Sequence, residues 1–349
     1  MHYTLGIDTS GNDTVAGVVI DGVQIASEVN TSRLKRLPPT DSQFQESRHD
    51  PLQYITYVAD QAISDAGISP AQLSAIAVTQ GPGLGTSLDI GLNYAKAISL
   101  IHNKPMVSVH HAEAHIYACK LVQPFREIQF PALAVIISSA TTSFLKMTDY
   151  NQYEVIAETA DDTIGETIEK IGRVLGFRYP AGPKIEESAA RGNGIAYNFL
   201  RQIRQQNDVL SFNGIKAAVL NEITVAPVGA TGRMSHPGGK RQLKSDISIH
   251  DIAASLQTSL VDILLRQLKE ALRQSEANEV MVVGGVAANH YLRQQINREI
   301  KVPVRYPPLH LCMNNGAMVA AAGYARLQTG ESTMMNIEAR SLWPITTLL

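Results

Sequence analysis

The chain of 349 residues holds only two cysteines, Cys119 and Cys312. No disulfide framework is encoded, and a reducing compartment is the expectation. No apolar run is long enough to span a bilayer. The opening MHYTLGIDTS lacks both a basic n-region and a long apolar h-region, so the expected location is the cytoplasm. An excess of one charge is missing too: 30 Lys and Arg against 32 Asp and Glu give a net charge of −2. A polyanion would have to meet a local basic patch or a partner subunit. What remains is an ordinary soluble composition, 44% apolar and 18% charged, on a chain long enough for two moderate domains.

Hydrophobic patterning divides the chain into two similar halves. YTLGID (3–8) and TVAGVVID (14–21) flank the polar turn TSGND and read as a hairpin. A helix follows over 50–66, then a buried strand at 74–80 broken by GPGLG (81–85). Thr86 or Ser87 is placed to cap a helix running to Ile101, and 105–111 reads as a strand. PALAVIIS (131–138) and SFLKMTDY (143–150) around SATT restart the pattern. Helices are expected at 161–176, 183–206 and 252–273, and EVMVVGG (279–285) is a buried strand leading into another helix. Two halves, each opening on strand–polar turn–strand, point to a duplicated α/β architecture. The segment 225–246, rich in Gly and Pro and carrying Arg233, Lys240, Arg241 and Lys244, reads as a surface loop. It is either solvated without function or set against a phosphate backbone.

Chemistry concentrates in VSVHHAEAHIYA (107–118). On a helix, His111 and His115 share a face and can hold one metal ion between them; local packing or capping is the other reading. Glu113 lies about 200° around the helix from His111, which argues against the HExxH metalloprotease arrangement. The hydroxyl-rich turns 9–13 and 139–142 could cradle phosphate oxygens as backbone nests. The helix after Gly285 offers N–H donors to an anion, with Asn289 in reach of a sugar or base.

GPGLG, VHHAEAH, YPAGP (179–183), SFNGIK (211–216), GGVAAN (284–289) and CMNNGAM (312–318) occur in an order and spacing that resembles the TsaD/Kae1/Qri7 family over residues 3–328. The resemblance implies the actin-like ATPase (ASKHA) fold, two duplicated α/β domains around a nucleotide cleft. The first would span 1–128, completed by a C-terminal helix near 315–330, and the second 129–314 with the basic loop. It implies transfer of threonylcarbamoyl from threonylcarbamoyl-AMP to N6 of adenosine 37 in tRNAs reading codons that begin with A. The implied partners are the tRNA anticodon loop, a TsaB-like paralogue, a TsaE-like ATPase and a TsaC/Sua5-type enzyme supplying the acyl-adenylate, with a hetero- or homodimer and no membrane.

Carried over by position, His111, His115 and Asn314 would be ligands of one Fe2+ or Zn2+ per subunit. Ile136, Ile137, Ser138, Ser139, Ala140, Glu169, Gly182 and Asn289 would bind ATP or the acyl-adenylate, and Asp13 is the candidate base. In the opening segment only Asp8, Thr9 and Ser10 match closely, and in 34–50 only Ser47 and Arg48. Several positions depart from the pattern. Asn314 stands where the family has aspartate, Ser139-Ala140-Thr141 where it has Gly-Gly-His, Glu169 for aspartate, and Asn12 for an acid. An amide is a poorer ligand than a carboxylate for Zn2+ or Fe2+, with His310 and Cys312 near enough in sequence to compensate. Side-chain stubs at 139–140 would crowd a phosphate. These departures motivate a second reading, a catalytically impaired paralogue serving as a tRNA- or partner-binding scaffold, and a third, a carbamoyltransferase or ATPase of the same fold.

Overall fold

The structure is a computed structural model that describes residues 1–31, 51–159, 161–202, 211–225 and 242–348. Two β-branched runs form β1 (Tyr3–Asp8) and β2 (Val15–Ile20), antiparallel across the polar turn. β3 (Gln24–Asn30) extends the meander on β2. The chain continues through α1 (Pro51–Asp65), β4 (Leu73–Gly81), α2 (Gly85–His102), β5 (Met106–His110) and α3 (His111–Tyr117). β4 pairs with β1 and β5 with β4, both parallel, so the sheet order is β3-β2-β1-β4-β5.

The second half repeats that plan. β6 (Ala132–Ile137), β7 (Thr142–Asp149) and β8 (Gln152–Glu158) form an antiparallel meander, followed by α4 (Ile164–Val174), α5 (Gly182–Ala189) and α6 (Asn213–Ile223). The ribbon β9 (Thr224–Val225) with β10 (Gln242–Leu243) precedes α7 (Ile249–Ser275), β11 (Glu279–Val283), α8 (His290–Glu299), β12 (Val304–Arg305) and α9 (Gly316–Gln328). β11 joins β6 and β12 joins β11 in parallel, giving β8-β7-β6-β11-β12. The two sheets therefore share one topology, three antiparallel strands and two parallel ones, and the expected duplicated α/β architecture is present.

α9 leaves the second sheet and packs on β1, β2 and β4 of the first. Small residues allow that approach: a Cβ on Gly6 would lie 2.1 Å from the Gly316 carbonyl oxygen. Glu28 of β3 accepts hydrogen bonds from the Gly316 and Ala317 amides at 3.0 and 2.9 Å, placing a carboxylate at the positive end of α9. α3 sits between the lobes with every residue buried. Its Ala114 and Tyr117 join one apolar cluster with α9, while Ala112 and Ile116 join another with β6 and β11.

Several boundaries differ from the sequence reading. α2 begins at Gly85 after Leu84, with no side-chain cap, so neither Thr86 nor Ser87 caps it. The helix expected over 183–206 ends at Ala189; beyond it the chain passes α7 so closely that a Cβ at Gly192 would lie 2.0 Å from the His250 carbonyl oxygen. β3, β8, β12 and α6 went unread. Ser47, Arg48 and residues 226–241 of the basic segment lie outside the described residues; the ends of that segment pair as β9 and β10. Among the described residues no helix is long and apolar enough to cross a membrane.

Candidate active site

A cleft of about 890 Å³, open mouth included, lies beyond the carboxyl ends of β6 and β11, where parallel α/β sheets characteristically receive ligands. Its walls include Ser139, Glu169, Gly182 and Asn289, four of the residues expected to hold a nucleotide. Tyr179, Glu186, Gln257 and Met313 complete the polar and sulfur-bearing part of the lining, and sequence reading had not singled these out. Ile136, Ile137, Ser138 and Ala140 are not part of the lining. The two isoleucines are fully buried in β6. Ser138 folds the turn on itself: its hydroxyl accepts from the Ala140 and Thr141 amides at 3.2 and 3.0 Å. Those two N–H groups are therefore engaged within the turn rather than offered to a phosphate, which corrects the nest reading of 139–142.

The other walls are held just as definitely. Thr163 caps α4 by accepting from the Glu166 amide at 3.0 Å and donates to the Ser139 carbonyl, also at 3.0 Å. Glu169 accepts from the Ala181 amide at 2.9 Å and so fixes the start of α5, where Gly182 leaves an open wall. Asn289 caps α8 by accepting from the Leu292 amide at 2.8 Å, and its Nδ2 donates to Gln257 Oε1 at 2.8 Å. Gly284 has φ +93°, and a Cβ there would meet the Ile137 carbonyl oxygen at 2.5 Å. Gly284→Ala is accordingly expected to cost about 3 kcal/mol, from a strained backbone plus a collision between strand ends, read as a lowered urea midpoint.

His110, His111 and His115 stand at the start of α3 behind the 9–13 turn. His110 Nδ1 accepts from the Ala112 amide at 3.1 Å, capping the helix. Burial pushes the His110 pKa down to about 4. The rings of His111 and His115 lie 4.9 Å apart, edge to face. His111 Nδ1 is 3.1 Å from Ser10 Oγ and 3.2 Å from Asp8 Oδ2. Burial alone would raise the Asp8 carboxyl, but the charge of His111 and hydrogen bonds from His111 and Ser10 hold it at about 2. His115 is neutral, lowered to about 3 chiefly by burial, and its buried Nδ1 has no hydrogen-bond partner.

A neutral imidazole with an orphaned nitrogen, one helical turn from a second, is the form in which histidine ligates a metal. The pair thus fits two ligands of a metal site. No group of three or more His, Cys, Asp or Glu side chains gathers as a metal site among the described residues. His310 is exposed, and buried Cys312 accepts from Arg293 Nη2 at 3.2 Å, so neither is shown joining the pair. Asn314 Nδ2 lies 2.9 Å from the position a Gly11 Cβ would take, beside the turn that touches His111. The segment 313–314 therefore links the cleft to the neighbourhood of the histidines.

Glu113 points away, as its helical angle required. It accepts from Tyr153 Oη at 2.9 Å and pairs with Arg326 at 2.8 Å. Asp13 is not in the cleft lining; its Oδ1 accepts from the Thr31 hydroxyl at 3.1 Å.

The family model described as tRNA N6-adenosine threonylcarbamoyltransferase matches residues 46–321. A Bacillus subtilis (strain 168) protein of that name is 37% identical over 94% of this chain and 91% of its own. One from Geobacillus kaustophilus (strain HTA426) is 36% identical over 98% and 97%. Among solved structures, component A of the Acidaminococcus fermentans (R)-2-hydroxyglutaryl-CoA dehydratase superposes with a TM-score of 0.50 at 15% identity, over 94% of this chain and all of that one. That likeness concerns the fold alone, and with the paired topologies it gives the actin-like ATPase architecture. The chain belongs to the TsaD family of tRNA N6-adenosine threonylcarbamoyltransferases.

Proposed function

We infer that this protein transfers the threonylcarbamoyl group of threonylcarbamoyl-AMP to N6 of adenosine 37 in tRNAs reading codons that begin with A. One observation carries the reading: a chain alignable over almost its full length with threonylcarbamoyltransferases keeps an open cleft whose walls are Ser139, Glu169, Gly182 and Asn289. The departures from the family pattern weigh less once placed. Ala140 is outside the cleft lining, Ser139 is in it without closing it, and Glu169 bonds the α5 amide. The scaffold reading has no observation in its favour.

In the reaction, adenine N6 attacks the carbamoyl carbon, the carbon–oxygen bond to the phosphate breaks, and AMP leaves with the electron pair while N6 loses a proton. A mixed anhydride is already activated, so the protein has mainly to position the partners and exclude water. The cleft would hold the adenylate, with Asn289 and Gln257 as a preformed polar pair at one wall. His111, His115 and Asn314 would hold a divalent metal, Fe2+ or Zn2+, which when bound supplies Lewis acidity toward a carbonyl. Asp13 is proposed as the proton acceptor. The adenosine has to be presented unstacked, as single-stranded anticodon loops allow, and the basic segment 225–246 offers charge for the backbone. A TsaB-like paralogue, a TsaE-like ATPase and a TsaC/Sua5-type source of acyl-adenylate complete the proposed system.

Asn289→Ala tests the cleft assignment. Loss of one polar contact to the nucleotide is expected to weaken AMP binding about tenfold, measured by titration calorimetry. Unchanged affinity would remove Asn289 from the nucleotide site.

A further inference from the structure

The chain after α9 is a strap laid over the first lobe. The Thr333 amide donates to the Met106 carbonyl on β5 at 2.8 Å, and the Arg340 amide to the Gln80 carbonyl at the end of β4 at 2.9 Å. Gly83 of the GPGLG turn donates to the Ser341 carbonyl at 3.2 Å. The strap then reaches α3 twice. Because His110 Nδ1 accepts from the Ala112 amide, the proton sits on Nε2, which donates to the Trp343 carbonyl at 3.0 Å. The two rings also meet edge to face at 4.8 Å. Two residues on, Ile345 is buried in the same apolar cluster as Ala112 and Ile116 of α3. The strap thus meets the short helix at its capping residue and shares an apolar cluster with it.

We propose that residues 333–345 are a positioning element for the imidazole pair: Trp343 fixes the His110 cap, Ile345 seats the helix, and together they set how His111 and His115 face a metal ion. The inference rests on the metal reading above. A helix of seven residues is too short to hold its own geometry in isolation, so its orientation has to come from what it packs against. Partners that orient metal ligands typically change metal affinity by about 10–100-fold when removed.

Two variants carry the test. His110→Asn keeps an acceptor for the Ala112 amide but is too short to reach Trp343, and a truncation removes residues 343–349. Each is titrated with Co2+ alone, reading the visible absorption of a nitrogen-ligated ion, and its thermal unfolding is recorded on the same sample. The expected result is Co2+ binding by the unaltered protein, weakened about tenfold in either variant, with the combined variant no weaker than the truncation. Should the truncated protein fail to fold, Trp343→Ala takes its place; it removes the ring contact but keeps the carbonyl that accepts from His110, so a smaller loss than in His110→Asn is expected. Full Co2+ affinity in both variants, with only the unfolding temperature lowered, would show a merely stabilising tail and overturn the proposal. Additive losses in the combined variant would overturn it too, since strap and cap would then act separately. Absence of Co2+ binding by the unaltered protein is a different failure: it removes the metal reading and the proposal with it.

Discussion

His111→Ala is expected to lower threonylcarbamoyl transfer to tRNA by at least about 100-fold, with the fold intact. The side chain is held by Ser10 Oγ and lies against Asp8, so its removal leaves a buried carboxylate short of its neighbour, a local disturbance. The catalytic cost is larger, because the proposed metal site, with Asn314 in its third position, would rely on its two imidazoles. One remaining nitrogen ligand and an amide make a weak site for Fe2+ or Zn2+. Asn314→Asp should act in the opposite direction and tighten metal binding. Steady-state transfer of labelled threonine to tRNA, alongside metal content of the purified protein, reads both. Full activity in His111→Ala would mean that the pair has become a packing element and that transfer proceeds by positioning alone.

Glu113→Ala should be the most destabilising of the substitutions considered, by about 3–4 kcal/mol in chemical unfolding. Glu113 is fully buried and binds three elements together. It sits on α3, accepts from Tyr153 of β8, and pairs with Arg326 of α9, whose side chain is 16% exposed. Truncation leaves a buried phenol without an acceptor and a guanidinium with only the outer carboxylate of Glu331, 2.7 Å away. Glu113→Gln should recover part of the loss by keeping an acceptor for Tyr153. Transfer per folded molecule should stay within about threefold of normal in Glu113→Gln, a difference of under 1 kcal/mol. A collapse of activity without loss of stability would instead make Glu113 a catalytic base, as in the metalloprotease arrangement its geometry argues against.

Much of this was legible in the chain because burial leaves marks on sequence. β1, β2, β4, β6 and β11 are apolar runs since both faces of their sheets are covered, and their repetition announced the duplication. β3 and β8 escaped because they are edge strands: QIASEVN and QYEVIAE mix charges with apolar residues, and their exposed positions break any run. His111 and His115 could be paired from helical spacing alone. The contact of His111 with Asp8 and Ser10, a hundred positions away, could not. Glu169 and Asn289 were found at the cleft, but as groups that also hold α5 and cap α8. Ile136 and Ile137 were carried over from the family resemblance, and their side chains lie buried in β6. The strap after α9 has neither helical nor strand period. Its importance is visible only in the hydrogen bonds it makes to segments far back in the chain.

The most direct test of the central claim is transfer itself. Purified protein would be incubated with threonylcarbamoyl-AMP carrying labelled threonine, unmodified tRNA, and TsaB- and TsaE-type partners. The tRNA is then digested and its nucleosides separated. Label on N6-threonylcarbamoyladenosine from position 37, dependent on this protein, is the predicted result. Unlabelled tRNA, with the acyl-adenylate left intact or consumed without any adenosine acceptor, would contradict the account.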